Sequence, residues 1–210
     1  MNDLAYAIVI AGMILCGLHM ANAFYDYGTP QYLSRKAGHG IGGVAYLLAV
    51  LLYEDPWWPL GLSVVFTCVL IGARLVRNET FRGVGGSGRS TAFAEVWFPI
   101  AGTVAIIVGW VWLDDPSLAL LPILFMAWGD LVTGVIRANV YGREVKGNWG
   151  SLGMIVVCLT LAWAFFDPFW IGAVGALVAT IAEKMTVSGK YFDDNYTIIL
   201  SSLVVMSVLT

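Results

Sequence analysis

The 210-residue sequence predicts an all-α, polytopic transmembrane helical bundle of about 7–8 helices, forming a single domain over residues 1–210. Three observations carry that expectation. Apolar residues make up 59% of the chain and charged residues 12%, roughly half the charged share of a soluble domain, and mean hydropathy is +0.80. The apolar residues fall in blocks of spanning length. The polar segments between blocks alternate in sign: Arg35 and Lys36, then Glu54 and Asp55, then Arg74, Arg77, Arg82 and Arg89, then Asp114 and Asp115, then Arg137, Arg143 and Lys146, then Asp167, then Lys184 and Lys190. All eleven basic residues thereby fall on one side of a membrane. Basic loops stay inside, so that side is expected to be cytoplasmic.

The expected spans are 4–24, 37–53, 57–76, 93–113, 116–138, 151–166, 169–182 and 196–209, with both termini outside. The first follows Asn2 and Asp3 with no basic segment before it, so it is read as a retained span rather than a cleaved signal. It carries His19, with Asn22 one turn-step away, and His19 is read as a helix–helix hydrogen-bonding residue. Thr29-Pro30 puts a capping residue before proline, so the second helix is expected to begin near Pro30, carrying Arg35 and Lys36 in an interfacial turn. Asp115-Pro116 repeats the signal, while Asp55-Pro56 and Asp167-Pro168 mark tight turns on the opposite side. Trp57, Trp58, Trp97, Trp110, Trp112 and Trp170 lie near block ends, as interfacial aromatics do. The last two blocks are short for full crossings.

Several function classes are set aside. No dense basic stripe exists for nucleic acid. Cys16, Cys68 and Cys158 lie inside apolar blocks without metal-ligand spacing and are expected to be buried packing residues. No Ser/His/Asp order, zinc spacing or paired glycosidase carboxylates stand out.

Four polar constellations remain, all on the basic side. Arg35, Lys36 and His39, with Gly40, Gly42 and Gly43 following, read either as a membrane anchor with packing glycines or as a phosphate contact. The loop 74–91 combines Arg74, Arg77, Arg82 and Arg89 with Gly83, Gly85, Gly86 and Gly88; glycine-rich backbone can turn N–H groups toward an anion, although this is no Walker A loop. Asp130 lies deep in an apolar helix and shares a face with Gly134 and Arg137, at spacings of four and three. An ionisable residue at that depth is functional unless merely paired. After it come Gly142, Arg143 and Lys146, then Gly150 and Ser151 at a helix start, where phosphate is favoured. Last, Glu183 precedes Asp193 and Asp194, which read either as helix caps or as Mg2+ ligands beside phosphates.

In order, these landmarks resemble the integral-membrane polyprenol kinase family, which includes dolichol, phytol and farnesol kinases and the CTP-dependent diacylglycerol kinase. Arg35-Lys36 with His39, Val96-Trp97-Phe98-Pro99, Gly129-Asp130 followed by Gly142-Arg143, Lys146 and Gly150-Ser151, and Glu183 with Asp193-Asp194-Asn195 carry the resemblance. Gly147 stands where the family often has Ser, Trp149 where it has Glu, and Arg143 where it has Lys. The resemblance implies a membrane enzyme that transfers the γ-phosphoryl group of CTP, or another nucleoside triphosphate, to an isoprenoid or other lipid alcohol. On that reading Asp130 and Asp194 hold Mg2+, and Asp193 and Glu183 join them in the catalytic set. Arg137, Arg143, Lys146, Gly142, Gly150 and Ser151 bind the nucleotide, bordered by Arg35, Lys36 and His39. The site lies on the loops around 74–91, 130–151 and 183–195. A CDP-lipid-forming cytidylyltransferase and a small membrane transporter are the alternatives.

Overall fold

The computed structural model describes residues 2–76, 81–85, 94–143, 145–186 and 193–210. Arg77, Arg89, Glu144, Lys190 and the glycine-rich stretch from Gly86 onward lie outside them. Among the described residues there are nine helices and no strand. They are α1 (Asp3–Asp26), α2 (Gln31–Leu52), α3 (Trp57–Leu75), a single turn α4 (Arg82–Gly85), α5 (Ala94–Ala105, running on as a π-helix over Ile106–Trp112), α6 (Pro116–Tyr141), α7 (Asn148–Phe165), α8 (Phe169–Met185) and α9 (Asp194–Leu209). Five are long and apolar enough to cross a membrane: α1, α3, Glu95–Trp112 of α5, α6 and α7. The first half of α2 is polar, and α8 and α9 have 17 and 16 residues.

Helix α6 is the hub. In its apolar window 72% of residues are buried, against 17% in α3, which puts α6 at the centre and α3 at the rim. Leu118, Leu121, Leu124, Phe125 and Met126 are all inaccessible, so α6 is apolar around its whole circumference, as a central helix must be. Around it α1, α3 and α7 turn Ile8, Val9, Val65, Leu75, Val156 and Trp163 outward. In water so much exposed hydrocarbon would be a liability; against lipid it is the expected surface.

Small residues let these helices approach. A Cβ on Gly43 would lie 2.7 Å from the Ala127 Cβ, and one on Gly109 would lie 2.5 Å from the Ala119 backbone nitrogen. Gly40, Gly42 and Gly43 therefore serve helix packing, against Leu131, Phe98 and Ala127 respectively. Asp115 caps α6 as the sequence signal requires, accepting from the Leu118 N–H at 2.9 Å. Thr29 does not cap α2: Pro30 takes that position without a side-chain hydrogen bond, and the helix starts at Gln31. Three further expectations change. Cys16 and Cys68 are exposed on the outer surface, while Cys158 is buried. Trp110 is buried rather than interfacial. His19 faces outward; its neighbour Asn22 makes the interhelical bond, accepting from Gly83 N–H at 2.7 Å.

The up-and-down path gathers the described basic residues at one end of the bundle. There Arg82 pairs with Asp26 at 2.7 Å and Arg74 with Glu95 at 2.8 Å. The turns bearing Asp55 and Asp115 lie at the other end. Replacing Gly43 with Leu should overpack the α2–α6 contact and cost about 1–3 kcal/mol, read as a lowered unfolding temperature of the detergent-purified protein.

Candidate functional site

A π-helical turn, Phe125–Gly129, immediately precedes Asp130 on α6. Such widened turns recur at functional sites. Beyond it Asp130, Thr133, Gly134 and Arg137 are buried along one face. The Thr133 hydroxyl donates to the Asp130 carbonyl at 2.7 Å and lies 3.1 Å from Oδ1. Lys36 reaches across from α2, ion-paired to Asp130 Oδ1 and donating to the Asp130 carbonyl at 3.0 Å. Its stem passes through the notch left by Gly134, where any Cβ would collide with Lys36 Cδ.

One turn further on, Arg137 forks the carboxylate of Glu183 on α8, Nη1–Oε1 at 2.9 Å and Nη2–Oε2 at 3.0 Å. Gly150, at the start of α7, makes room for it: a Cβ there would sit 2.7 Å from Arg137 Nε. Lys146 closes the group from the α6–α7 connection. Its ammonium donates to the Glu183 carbonyl and lies 3.4 Å from Asp194 Oδ2 and 3.6 Å from Glu183 Oε1.

Asp130, Glu183 and Asp194 each contribute one carboxylate oxygen to a buried triad, all within 4.8 Å of one another. At that separation each like-charged pair repels by about 3 kcal/mol even at an effective dielectric of about 20. Lys36, Arg137 and Lys146 offset the repulsion. At the edge Asp193 caps α9, accepting from Asn195 N–H at 3.0 Å. Burial pushes the Asp193 carboxyl up to about 7, and the hydrogen bonding and charge of Asp194 add to the rise. Asp194 is held well below the ordinary range: burial opposes ionisation, but Asp193, Lys36, Lys146 and Arg35 outweigh it.

The structure thus brings Lys36, Asp130, Arg137, Lys146, Glu183 and Asp194 into one cluster, with Arg35 and Asp193 beside it. Asp130 and Arg137, neighbours on one face, take different partners rather than each other. Gly142 sits apart as the left-handed C-cap of α6 (φ 63°), a conformation that explains a glycine there without a ligand. Arg143 is exposed at the rim, and the Ser151 hydroxyl is buried without a hydrogen-bond partner among the described residues. In the glycine-rich loop, the Gly83 carbonyl accepts from Ser34 at 2.8 Å and the Gly85 carbonyl from Arg74 at 3.2 Å. With Gly83 N–H also taken, that turn of the loop is bound into the bundle rather than open to an anion. His39 stacks on Phe98, ring centroids 4.9 Å apart. Glu183 was expected in the catalytic set but not beside the Mg2+ pair Asp130 and Asp194; Thr133 as support for Asp130 was not anticipated, though it lies three residues after Asp130 on the buried face.

Comparison with protein-family models, curated proteins and solved structures returned no match.

Breaking a buried pair costs more than removing it whole. Lys36→Met alone should destabilise the protein by about 3–5 kcal/mol, while Lys36→Met with Asp130→Leu should recover most of that loss. Equilibrium unfolding of the two single variants and the double variant measures the coupling.

Proposed function

We propose that this chain is an integral-membrane kinase that moves the γ-phosphoryl group of a nucleoside triphosphate to the hydroxyl of a polyprenol-type or related lipid alcohol. By resemblance to the polyprenol kinase family the donor is CTP. One observation carries the reading: a buried carboxylate triad, flanked by three mobile-stemmed or forked cations, sits at the basic end of an apolar bundle. Phosphoryl transfer needs positioning and charge neutralisation more than covalent chemistry, and these residues supply both.

The triad suits Mg2+. Its donors are hard oxygens, and octahedral coordination at about 2.1 Å sets ligand oxygens about 3 to 4.2 Å apart, so spacings that now reach up to 4.8 Å would close by at most about 0.6 to 1.8 Å. Held by Asp130, Glu183 and Asp194, such an ion would supply charge neutralisation for the transferring phosphoryl group. The chain's own cations complete the site. Lys36, paired with Asp130, Lys146, and exposed Arg143 at the rim would offset phosphate charge from the chain's own side. Arg137 holds the Glu183 carboxylate in place through its two-point contact. In this reading all eight long helices cross the bilayer, and the basic end faces the cytoplasm, where nucleotide is available.

Product identity separates the alternatives. Purified protein given labelled CTP (with ATP run in parallel) and a panel of lipid alcohols should yield lipid phosphate and nucleoside diphosphate. Pyrophosphate release would instead mark a cytidylyltransferase, and no turnover a transporter. Asp130→Asn should lower the transfer rate by about 10²–10³-fold, the scale of a lost electrostatic contact to the transition state. Mg2+ at about 100 times its dissociation constant should stabilise the wild type by about 2.7 kcal/mol, and Asp130→Asn should abolish that shift in thermal unfolding.

A further inference from the structure

Helix α3 packs chiefly on α5 and touches α1 and α2 only sparsely. The gap is a narrow slot between these helices, walled by Ile10 and Leu18 of α1, Ala45 and Ala49 of α2, and Leu62 and Phe66 of α3. It is mostly carbon-lined and ends, at the basic side of the bundle, on His39 and on Glu95, whose carboxylate is already paired with Arg74 at 2.8 Å. His39 is 5% exposed, yet among the described residues neither ring nitrogen has a hydrogen-bond partner. Buried polar groups are normally satisfied, so an unpaired imidazole facing a cavity needs a donor or acceptor that enters it. His39 is also one helical step from Lys36, whose ammonium holds Asp130, and it feels the charges of Arg35, Lys36 and Asp194. The slot and the carboxylate triad therefore meet across this one residue.

We infer that the slot holds the hydrocarbon chain of the acceptor, headfirst toward the basic end, with the acceptor hydroxyl donating a hydrogen bond to His39. The inference rests on the phosphoryl-transfer reading above and adds where the acceptor lies and what positions its reactive end. From His39 to Ala49 the slot follows α2 for ten residues, about 15 Å at 1.5 Å per residue. At its inner end the lining residues Gly42 and Phe98 pack directly on each other: a Cβ on Gly42 would lie 2.6 Å from Phe98 Cε1. The sparse seam between α1 and α3 lets the hydrocarbon chain enter sideways from the bilayer. Ser63 and Tyr46, the hydroxyls along the slot, bond to each other at 2.6 Å and place no unsatisfied group against it.

A linear long-chain alcohol bearing a diazirine near its chain end tests this on the full-length protein in detergent. Photolysis should label residues of α1 and α3 that face the slot. Excess unlabelled alcohol should remove the labelling in the wild type, and Ala45→Trp or Leu62→Trp should reduce it at least tenfold. Val64→Trp, on the outward face of α3, should leave it intact. In the transfer assay Ala49→Trp should cut kcat/KM for long-chain alcohols at least tenfold and spare short ones. His39→Ala should lower transfer at least tenfold with unchanged nucleotide affinity. Equal, uncompeted labelling by a diazirine phosphatidylcholine would overturn the inference. So would phosphate transfer whose chain-length profile ignores Ala49→Trp, an outcome that leaves the kinase reading standing. Competed slot labelling without phosphate transfer would uphold the slot and remove the kinase reading.

Discussion

Three carboxylates forced together in a low-dielectric interior are the constraint around which this molecule is arranged. Asp130, Glu183 and Asp194 come from three different helices, and their cations, Lys36, Arg137 and Lys146, come from α2, α6 and the α6–α7 connection. No pair within this set is local in sequence. The network ties α2, α6, α8 and α9 at one end, and it exists only when all four are in register. Isolated ion pairs of this kind add little net stability, because desolvation consumes the Coulomb gain. What they do enforce is uniqueness of arrangement, since any misalignment leaves a charge alone in hydrocarbon.

Glycine placement is the counterpart of that constraint. Charged stems must thread between closely packed helices, and they do so where a side chain is missing: Lys36 past Gly134, Arg137 past Gly150. The same economy of volume brings α2 against α6 at Gly43 and the π-helical end of α5 against α6 at Gly109. Polar reach and close packing therefore use one device, and the positions that look like flexible loop signals in the sequence are mostly contact points in the fold.

Much of this was legible before the coordinates. Spanning-length blocks and alternating loop charge are strong, additive signals, and each block has a helix at nearly the expected limits. Asp130 stood out because an acid inside an apolar run has few structural excuses, and Glu183, Asp193 and Asp194 were picked out with it. The pairing was not legible. Periodicity places Asp130 and Arg137 on one face but says nothing about which neighbour supplies each counter-charge, and Lys36, 94 residues distant, could be matched to Asp130 only through the packing of α2 on α6. Thr29 failed as a cap because Pro30 itself occupies the cap position, a shift of one residue that composition does not resolve. His39 was read with its basic neighbours; its stacking on Phe98 and its place in the wall of an apolar slot were not legible.

The widened turn at Phe125–Gly129 fixes the azimuth of everything after it on α6. It acts as a phase setter: one residue fewer there would rotate the downstream helix by about 100°, swinging Asp130 and Arg137 out of their shared sector together. Length changes in this stretch are therefore all-or-none for the cluster, whereas a comparable change in the turns at the acidic end would alter only a loop. Drift in this lineage should accordingly accumulate as substitutions within α6 and as insertions away from it.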